Sequence, residues 1–368
     1  MIDRLNCVVC QSEEIEHLHT FEQFPMYMGA KKTKSEYFFD QKWGICNDCG
    51  CIQLMELCDL KLLYETPHNP AVGRTWEKHN EEYCDFIIRN CGKSILEIGG
   101  GNGKLAKMVN KARNFEYFVC DKHKYQPNEE FVLIPEFFDL NYENTHTCDT
   151  IVTSHVVEHF YNPRKYFEKF YDLLPENGTV IFSFPNITNI IRDKFTNGLN
   201  FEHTYSINPE YLNFMMGECG FNLTQLKRFN NYNLFMAFKK RSKIKQEPIP
   251  TGYSSNMEIW EEFISHHERN CKYLKEQIYK YKNKFLFGCH VFSQYLLYFG
   301  LNDIDFLGII DNDIMKQNHN LYGTNLKVYD SGVVENLSDV AVIVQAGVYT
   351  EEIIQKLKSF NKECVIIL

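Results

Sequence analysis

The first residues with the types and spacing for chemistry form a glycine-rich turn, Glu97-Ile98-Gly99-Gly100-Gly101-Asn102-Gly103. Glycines at 99, 101 and 103 let the backbone approach a ligand closely. A dinucleotide-binding turn needs its third glycine at position 104, where this chain has Lys104. Glu97 lies just before the turn, and its charge favours a ligand that carries ammonium and sulfonium groups over one that carries a pyrophosphate.

Two further acids have the spacing of nucleoside contacts. Asp121 follows a strand about two dozen residues after the turn, which predicts a carboxylate that accepts hydrogen bonds from both ribose hydroxyls. Asp139 is expected to reach an adenine amino group, with Phe138 beside the ring, although Leu140 could serve equally. With Glu97, these acids favour a nucleoside site over a tight turn that binds no ligand.

The cysteines give a second chemical pattern, because six of the 14 lie before residue 60. Two Cys-x-x-Cys pairs stand out, Cys7 with Cys10 and Cys46 with Cys49. Zinc takes four thiolates in a tetrahedron, and a site closed by four thiolates is structural rather than catalytic. We therefore predict a structural Zn²⁺ at these four residues rather than four unligated thiols. Cys51 could replace Cys49, but its spacing is less suitable.

These residues need a scaffold, and the hydrophobic pattern predicts an α/β fold. Residues 61–92 are predicted to be helical. Short apolar runs then alternate with helical stretches, which is typical of a mostly parallel sheet. The predicted strands are 94–98, 115–120, 150–154 and 178–184, and the predicted helices are 104–111 and 163–174.

A polar segment with two prolines, 241–255, is predicted to be a linker. After it come a predicted long helix, 256–282, and a second α/β unit from 284 to 368. The second unit repeats the first weakly, because Asp311 closes a strand as Asp121 does and only Gly288 remains of the glycines. The predicted domains are therefore 1–60, which binds zinc, 61–245, which binds the nucleoside, and 256–368, which is Rossmann-like.

Two segments resemble a known family. The run 95–103 resembles motif I of class I S-adenosylmethionine methyltransferases, and Ser154-His155-Val156-Val157-Glu158-His159-Phe160 resembles the segment after their fourth strand, which lines the cofactor pocket. The resemblance implies a class I methyltransferase Rossmann-like sheet and S-adenosylmethionine as cofactor. The residues it implies as cofactor contacts are Glu97, Gly99, Gly101, Asn102, Gly103, Asp121, Phe138, Asp139 and Ser154.

The order of the three units resembles the sugar C-methyltransferases that act on nucleotide-linked keto-sugars, over nearly the whole chain. Residues 46–54 resemble their Cys-x-x-Cys-Gly-x-x-Gln-Leu segment, and Gly288, 311–313, 316–317, 322–324 and 346–347 resemble their C-terminal domain. This implies a nucleotide-sugar substrate.

The same resemblance implies that Glu202 and His203 are the catalytic pair. Methylation of carbon requires an enolate, and an imidazole has a pKa of about 6.5, which suits the base that forms it. Asn200 stands where the family has a tyrosine, so sugar O- or N-methylation remains an alternative. A substrate-contacting tyrosine expected after 62–64 is missing, and His68, Asn69 or His79 could replace it.

Overall composition limits the remaining possibilities. The chain has 39 basic and 48 acidic residues, a net charge of −9, which argues against a nucleic-acid partner. No run of 18 apolar residues and no signal-peptide core are present, so a cytoplasmic protein without a membrane partner is expected, as a monomer or dimer. A non-catalytic binding protein and an NAD-dependent dehydrogenase are the alternatives from other classes.

Overall fold

The computed structural model describes residues 1–31, 35–65, 73–122, 130–143, 146–241 and 248–368. In chain order the strands are β1 (Ile2–Asp3), β2 (Ile15–Pro25), β3 (Phe38–Cys46), β4 (Ile52–Leu54), β5 (Glu56–Leu57), β6 (Ser94–Ile98), β7 (Glu116–Cys120), β8 (Val132–Ile134), β9 (Thr150–Ser154), β10 (Thr179–Pro185), β11 (Phe221–Arg228), β12 (Asn233–Lys240), β13 (Asn283–Phe287), β14 (Gly308–Ile310), β15 (Val328–Tyr329), β16 (Val340–Ile343) and β17 (Val365–Ile367). The helices are α1 (Leu60–Leu63), α2 (Arg74–Asn90), α3 (Lys104–Ala112), α4 (Pro163–Leu173), α5 (Ile187–Arg192), α6 (Pro209–Glu218), α7 (Tyr253–Ile278), α8 (Val291–Tyr298) and α9 (Thr350–Phe360).

The central sheet has seven strands in the order β11-β12-β10-β9-β6-β7-β8. Strands β6 to β10 run parallel, and β12 pairs antiparallel with both β10 and β11. All seven residues of β10 are buried, because helices cover both faces of a parallel sheet. The mostly parallel sheet predicted from the sequence is confirmed, and the carboxyl ends of β6, β7 and β9 meet at one edge.

A second sheet, built from residues 283–367, contains five parallel strands in the order β15-β14-β13-β16-β17. Its first turn repeats a hydrogen bond of the central sheet. Gly101 N donates to Asp121 Oδ2 over 2.9 Å, and Cys289 N donates to Asp311 Oδ2 over 2.8 Å. In the second sheet Lys316 Nζ also lies 3.2 Å from Asp311 Oδ2. The internal similarity predicted from the strand-closing acids thus extends to a matching backbone contact.

The cysteine-rich segment folds as a three-stranded antiparallel sheet, β2-β3-β4, and a two-stranded sheet, β1-β5. Strand β4 also pairs with a segment of the central unit. Leu54 N donates to Thr204 O over 3.0 Å, and Ser206 N donates to Ile52 O over 2.7 Å. The cysteine-rich unit is therefore joined by main-chain hydrogen bonds to the residues that follow Glu202 and His203.

One apolar cluster runs through all three units, and the second sheet has two further clusters of its own. Phe21 of β2 is fully buried, and its ring centroid lies 5.1 Å from that of Tyr295 on α8 and 6.4 Å from that of Trp260 on α7. Among the residues that the model describes, no helix is both long and apolar enough to cross a membrane.

The predicted helical region 61–92 contains α1 and α2, and residues 66–72 between them lie outside the described ranges. The sequence analysis assigned no strands at β2, β3, β11 or β12. Register shifts interrupt the side-chain alternation of β2 near His19 and of β11 between Leu223 and Gln225. A bulge moves later side chains to the opposite face, so the period-two pattern disappears from the sequence.

We predict that Phe21→Ala destabilises all three units together. Removing a fully buried phenylalanine side chain costs about 3–5 kcal/mol in the free energy of unfolding. Urea unfolding followed by circular dichroism should show one transition, shifted to lower urea. Phe360→Ala, at a side chain that is 39% exposed, is the control and should shift the midpoint far less. Two transitions, of which Phe21→Ala moved only one, would contradict the shared core.

Candidate functional site

The glycine-rich turn connects β6 to α3 at the carboxyl edge of the central sheet. Gly99 and Gly103 both have φ of +71°, a left-handed conformation that glycine adopts without strain. A Cβ at Gly99 would lie 2.8 Å from Val156 Cγ2, and one at Gly103 would lie 2.2 Å from the ring of Phe131. Close packing as well as backbone conformation therefore requires glycine at these two positions.

Two acids flank this turn. Glu97 is 2% exposed, and Tyr117 donates its hydroxyl to Glu97 Oε2 over 3.1 Å. Burial, with a smaller contribution from the charge of Asp121, raises the pKa of Glu97 to about 7 despite that hydrogen bond. Asp121 is held against the turn by its bond from Gly101 N. An enclosed carboxylate beside a second acid is stabilised by a nearby positive charge.

Of the other residues predicted to contact a cofactor, Asn102 and Ser154 lie at the same edge, whereas the Phe138 ring packs into the core. Asn102 Oδ1 accepts from Lys104 N at the start of α3, and Ser154 ends β9. Asp139 Oδ1 accepts from Asn141 N over 2.8 Å. Phe138 is 6% exposed, and its ring packs 4.8 Å from the ring of Tyr142 and 5.8 Å from that of Phe170.

Glu202 and His203 lie in a turn that Asn200 organises. Asn200 Oδ1 accepts from Glu202 N over 2.8 Å and from His203 N over 2.9 Å. The imidazole of His203 is oriented by its Nδ1, which lies 3.2 Å from Gly198 O. A turn of this kind satisfies buried backbone N–H groups and directs the two functional side chains.

A second segment, residues 154–160, brings more titratable groups to this turn. One nitrogen or oxygen atom from each of Glu158, His159 and His203 lies within 4.8 Å of the other two, a spacing that could hold a metal ion. His159 Nδ1 is 3.8 Å from Glu202 Oε2, and it is 2.9 Å from the hydroxyl of Tyr64. His155 has φ of +53°, and its Nδ1 lies 3.3 Å from Glu158 Oε1. Non-glycine residues in this conformation are typical of functional sites.

The two buried carboxyl groups have opposite pKa shifts. Burial, with the nearby charge of Glu158, raises the pKa of Glu202 to about 8. Burial also acts to raise the pKa of Glu158, but contacts with His155, His159 and His203 outweigh it, and the net pKa is lowered. Burial lowers the pKa of His203. At neutral pH the site therefore contains a neutral Glu202, an ionised Glu158 and a neutral His203.

Sequence reasoning missed several of these residues. Glu158 and His159 were predicted only as members of the pocket-lining segment 154–160. The adjacent Glu and His side chains were the signal that could have marked them as functional residues. Tyr64 was not predicted as a site residue, because the substrate-contacting tyrosine was expected in the residues that follow it. Of the substitutes it named, His68 and Asn69 fall outside the described residues. His79 is 1% exposed, with Nε2 2.9 Å from Ser183 Oγ, so it lies inside the core.

The C-terminal unit also approaches this site. Burial, together with the nearby Lys316 and His203, lowers the pKa of His290 to about 3. Burial, with the charges of Glu202 and Cys289, raises the pKa of Tyr27 to about 12. Tyr27 of the cysteine-rich unit and His290 of the C-terminal unit thus lie close enough to the Glu202–His203 turn to interact with its charges.

The four predicted metal ligands come together as predicted by their spacing. Sulfur atoms of Cys7 and Cys49 lie 3.5 Å apart, as do those of Cys10 and Cys46, and all four lie within 4.8 Å of one another. Cys51 is not part of this group, and its Sγ faces Ile52 O at 3.6 Å. Four converging sulfurs fit the tetrahedral thiolate coordination of Zn²⁺.

Comparison with known proteins identifies the central unit. Residues 75–226 match a family model described as a methyltransferase domain. No curated protein matches the sequence. Similar solved structures include the N-methyltransferase NodS from Bradyrhizobium japonicum WM9, at 12% identity and a TM-score of 0.35, covering 46% of this chain and 97% of that chain. The magnesium protoporphyrin IX methyltransferase ChlM from Synechocystis PCC 6803 is 13% identical, with a TM-score of 0.35, covering 47% and 90%. The CcbJ methyltransferase from Streptomyces caelestis is 11% identical, with a TM-score of 0.37, covering 48% and 100%.

The predicted class I methyltransferase fold is confirmed. The family model matches the region that contains the glycine-rich turn, the 154–160 segment and the Glu202–His203 turn. The protein is a methyltransferase enzyme, as the sequence predicted, and its four-cysteine cluster is compatible with a small zinc-binding unit.

The raised pKa of Glu202 predicts a pH-dependent stability. Above pH 4.5 the unfolded carboxyl group loses its proton, whereas the folded one keeps it up to about pH 8, so rising pH favours unfolding in that window. Glu202→Gln is always neutral, and its stability relative to the native protein should increase by up to about 1.4 kcal/mol per pH unit. Urea unfolding at pH 5.5 and 8 measures this, with exposed Glu363→Gln as control. Glu97 is present in all three proteins, so its contribution cancels. A constant difference between Glu202→Gln and the native protein would contradict the shift.

Proposed function

We propose that the protein transfers the methyl group of S-adenosylmethionine to carbon of a nucleotide-linked keto-sugar. The observation that carries the proposal is the pairing of a neutral imidazole, His203, with a protonated carboxyl group, Glu202, beside the segment 154–160 that borders the glycine-rich turn. The family match supports methyl transfer. The resemblance of all three units to sugar C-methyltransferases supports the substrate class.

The cofactor proposal rests on the residues around the turn. Glu97, Gly99, Gly101, Asn102, Gly103, Asp121, Phe138, Asp139 and Ser154 would hold S-adenosylmethionine. When bound, it supplies an electrophilic methyl group on a sulfonium. Glu97, Asp121 and Lys104 favour this cation over NAD. Burial raises the pKa of Glu97, so a neighbouring positive charge stabilises its ionised form.

His203 would act as the general base. Its burial keeps the imidazole neutral, and its Nδ1 lies at Gly198 O, so Nε2 is the nitrogen available to accept a proton. Removal of the proton α to the sugar ketone moves the C–H electron pair into an enolate. The enolate carbon then forms the new C–C bond as the C–S bond breaks, and the electron pair of that bond stays on sulfur. The proton leaves His203 to solvent.

Glu202 would donate a hydrogen bond to the ketone oxygen as negative charge develops there. A carboxyl group held neutral by burial is suited to this role. Asn200 is engaged within the turn instead, because its Oδ1 accepts from two backbone N–H groups and its Nδ2 donates to Asn197 O over 3.3 Å. Because Asn200 replaces the family tyrosine and is engaged in these bonds, one alternative is also favoured, the O- or N-methylation of a sugar. In that reaction His203 removes a proton from a hydroxyl or ammonium group.

We also propose that Cys7, Cys10, Cys46 and Cys49 bind one structural Zn²⁺. The support is the convergence of four sulfurs in a unit of one three-stranded sheet and a two-stranded ribbon, whose buried side chains belong to a cluster shared with the other units. A closed set of four thiolates leaves no position for a substrate, so the ion would not take part in methyl transfer.

Deuterium exchange tests the reaction. In deuterated water, the protein should catalyse exchange at the carbon α to the ketone of a keto-sugar nucleotide without S-adenosylmethionine, and with it should give a C-methylated product by NMR. His203→Ala should lose about 10²–10⁴-fold in both. His319→Ala, an exposed histidine, is the control. O-methylated product without exchange would replace carbon transfer by the alternative. Calorimetric binding of NAD but not S-adenosylmethionine would overturn the cofactor.

Metal content tests the zinc site. Cys49→Ser removes one of four ligands, and mass spectrometry of the purified protein should show its zinc falling from about one per chain to near zero. Cys51→Ser makes the same chemical change two residues away, outside the cluster, and should retain the metal. Equal zinc loss in both variants would show that the ligand set is wrong.

A further inference from the structure

Arg4 is a buried cation in the cysteine-rich unit. It is 9% exposed, and burial lowers the pKa of its guanidinium to about 10, so it remains charged at neutral pH. Among the described residues it forms no ion pair with a carboxylate. A buried charge is costly unless its hydrogen bonds are satisfied, so the partners of this guanidinium indicate its role.

The partners are backbone groups of two segments that carry the site. Arg4 Nη1 donates to Thr204 O over 2.7 Å, and Thr204 directly follows His203. Arg4 Nη2 donates to Tyr161 O over 2.9 Å, and Tyr161 lies two residues after His159. One planar side chain thus joins the Glu202–His203 turn to the end of the 154–160 segment. Arginine presents several donors in a rigid plane, which suits such bridging.

Thr204 adds direct bonds at the same junction. Its backbone N donates to Glu158 O over 3.1 Å, and its Oγ1 donates to Phe160 O over 3.1 Å. Arg4 Nη2 also lies 3.3 Å from Thr204 Oγ1. Several hydrogen bonds therefore meet at this junction, and Arg4 is the residue that the cysteine-rich unit contributes to it.

The cysteine-rich unit in turn holds Arg4 in place. Arg4 N donates to Met55 O over 2.8 Å, which ties it to the chain just after β4. Gln53 is fully buried and bridges the first cysteine pair to β4, because its Oε1 accepts from Val8 N over 2.8 Å and its Nε2 donates to Asn6 O over 3.2 Å. Arg4 is three residues from Cys7, so the fold of the cysteine cluster determines where the guanidinium lies.

We propose that Arg4 is a positioning residue that fixes the Glu202–His203 turn against Glu158 and His159, and so couples the cysteine-rich unit to methyl transfer. The proposal rests on the function proposed above, in which His203 and Glu202 carry the chemistry beside Glu158 and His159. None of the Arg4 bonds reaches residues 97–103 or Asp121. Its loss should therefore lower kcat and leave S-adenosylmethionine binding unchanged.

The variant Arg4→Met keeps an unbranched apolar stem but removes all three side-chain hydrogen bonds. A misplacement of about 1 Å costs about 10²-fold in rate, so kcat should fall about 10–100-fold. The Kd for S-adenosylmethionine, measured by calorimetry, and the zinc content should remain within twofold. Arg4→Lys retains the charge and one donor position, and its kcat should lie between those of Arg4→Met and the native protein.

Arg164→Met is the matched control. Arg164 also crosses to the cysteine-rich unit, where its Nε donates to Val9 O over 3.2 Å, but it contacts neither the Glu202–His203 turn nor Glu158 and His159 in the described contacts. Its kcat should stay within threefold of the native value. Equal losses in Arg4→Met and Arg164→Met would mean that Arg4 acts only by holding the two units together, which overturns the proposal.

A second measurement does not depend on the substrate. Proton NMR titration of the His203 ring, assigned by its absence in His203→Gln, reports whether the turn keeps its burial beside Glu158, His155 and His290. In Arg4→Met the His203 pKa should rise towards about 6.5 as water enters, because burial is what lowers it. An unchanged titration would overturn the positioning role. A shifted titration in a protein that methylates no sugar nucleotide would support the role and reject the substrate.

Discussion

Two buried carboxyl groups beside the same histidine, Glu158 and Glu202 at His159, cannot both be ionised at low cost, and the candidate site depends on that constraint. The pKa of Glu158 is lowered despite its burial, chiefly by its contact with His155, and the charge of Glu158 then helps keep Glu202 protonated. The same enclosure keeps His203 neutral. A proton acceptor and a proton donor therefore coexist at one pH in adjacent residues, and any water admitted to the turn would remove the difference between them.

Maintaining that enclosure requires the unit that precedes the methyltransferase domain. The central sheet supplies one wall at the end of β9, where His155 adopts its left-handed conformation. The cysteine-rich unit supplies the other, through β4 and the guanidinium of Arg4. Tyr64 closes the arrangement by its contact with His159. The additional units of this chain thus contribute side chains and main-chain bonds to the enclosure of the candidate site.

The sequence predicted what depends on neighbouring residues. The glycine-rich turn, β6, β9 and the four cysteines follow from spacing over a few positions, and each lies where the pattern indicated. The contact of Glu158 with the Glu202–His203 turn could not be predicted in this way, because Glu202 follows Glu158 by 44 positions, with α4, β10 and α5 between them. Arg4 had no signal at all, since a single arginine in a polar N-terminal segment is ordinary. The strands β2 and β11 were hidden by their bulges.

The salt bridge between Lys316 and Asp311 distinguishes the second sheet from the central one. In the central sheet, the strand-closing acid Asp121 borders the space proposed for the ribose. In the second sheet its counterpart, Asp311, has Lys316 Nζ at 3.2 Å, a cation built into the same chain. The charge of Asp311 is therefore balanced by a side chain of the same protein, without a bound ligand.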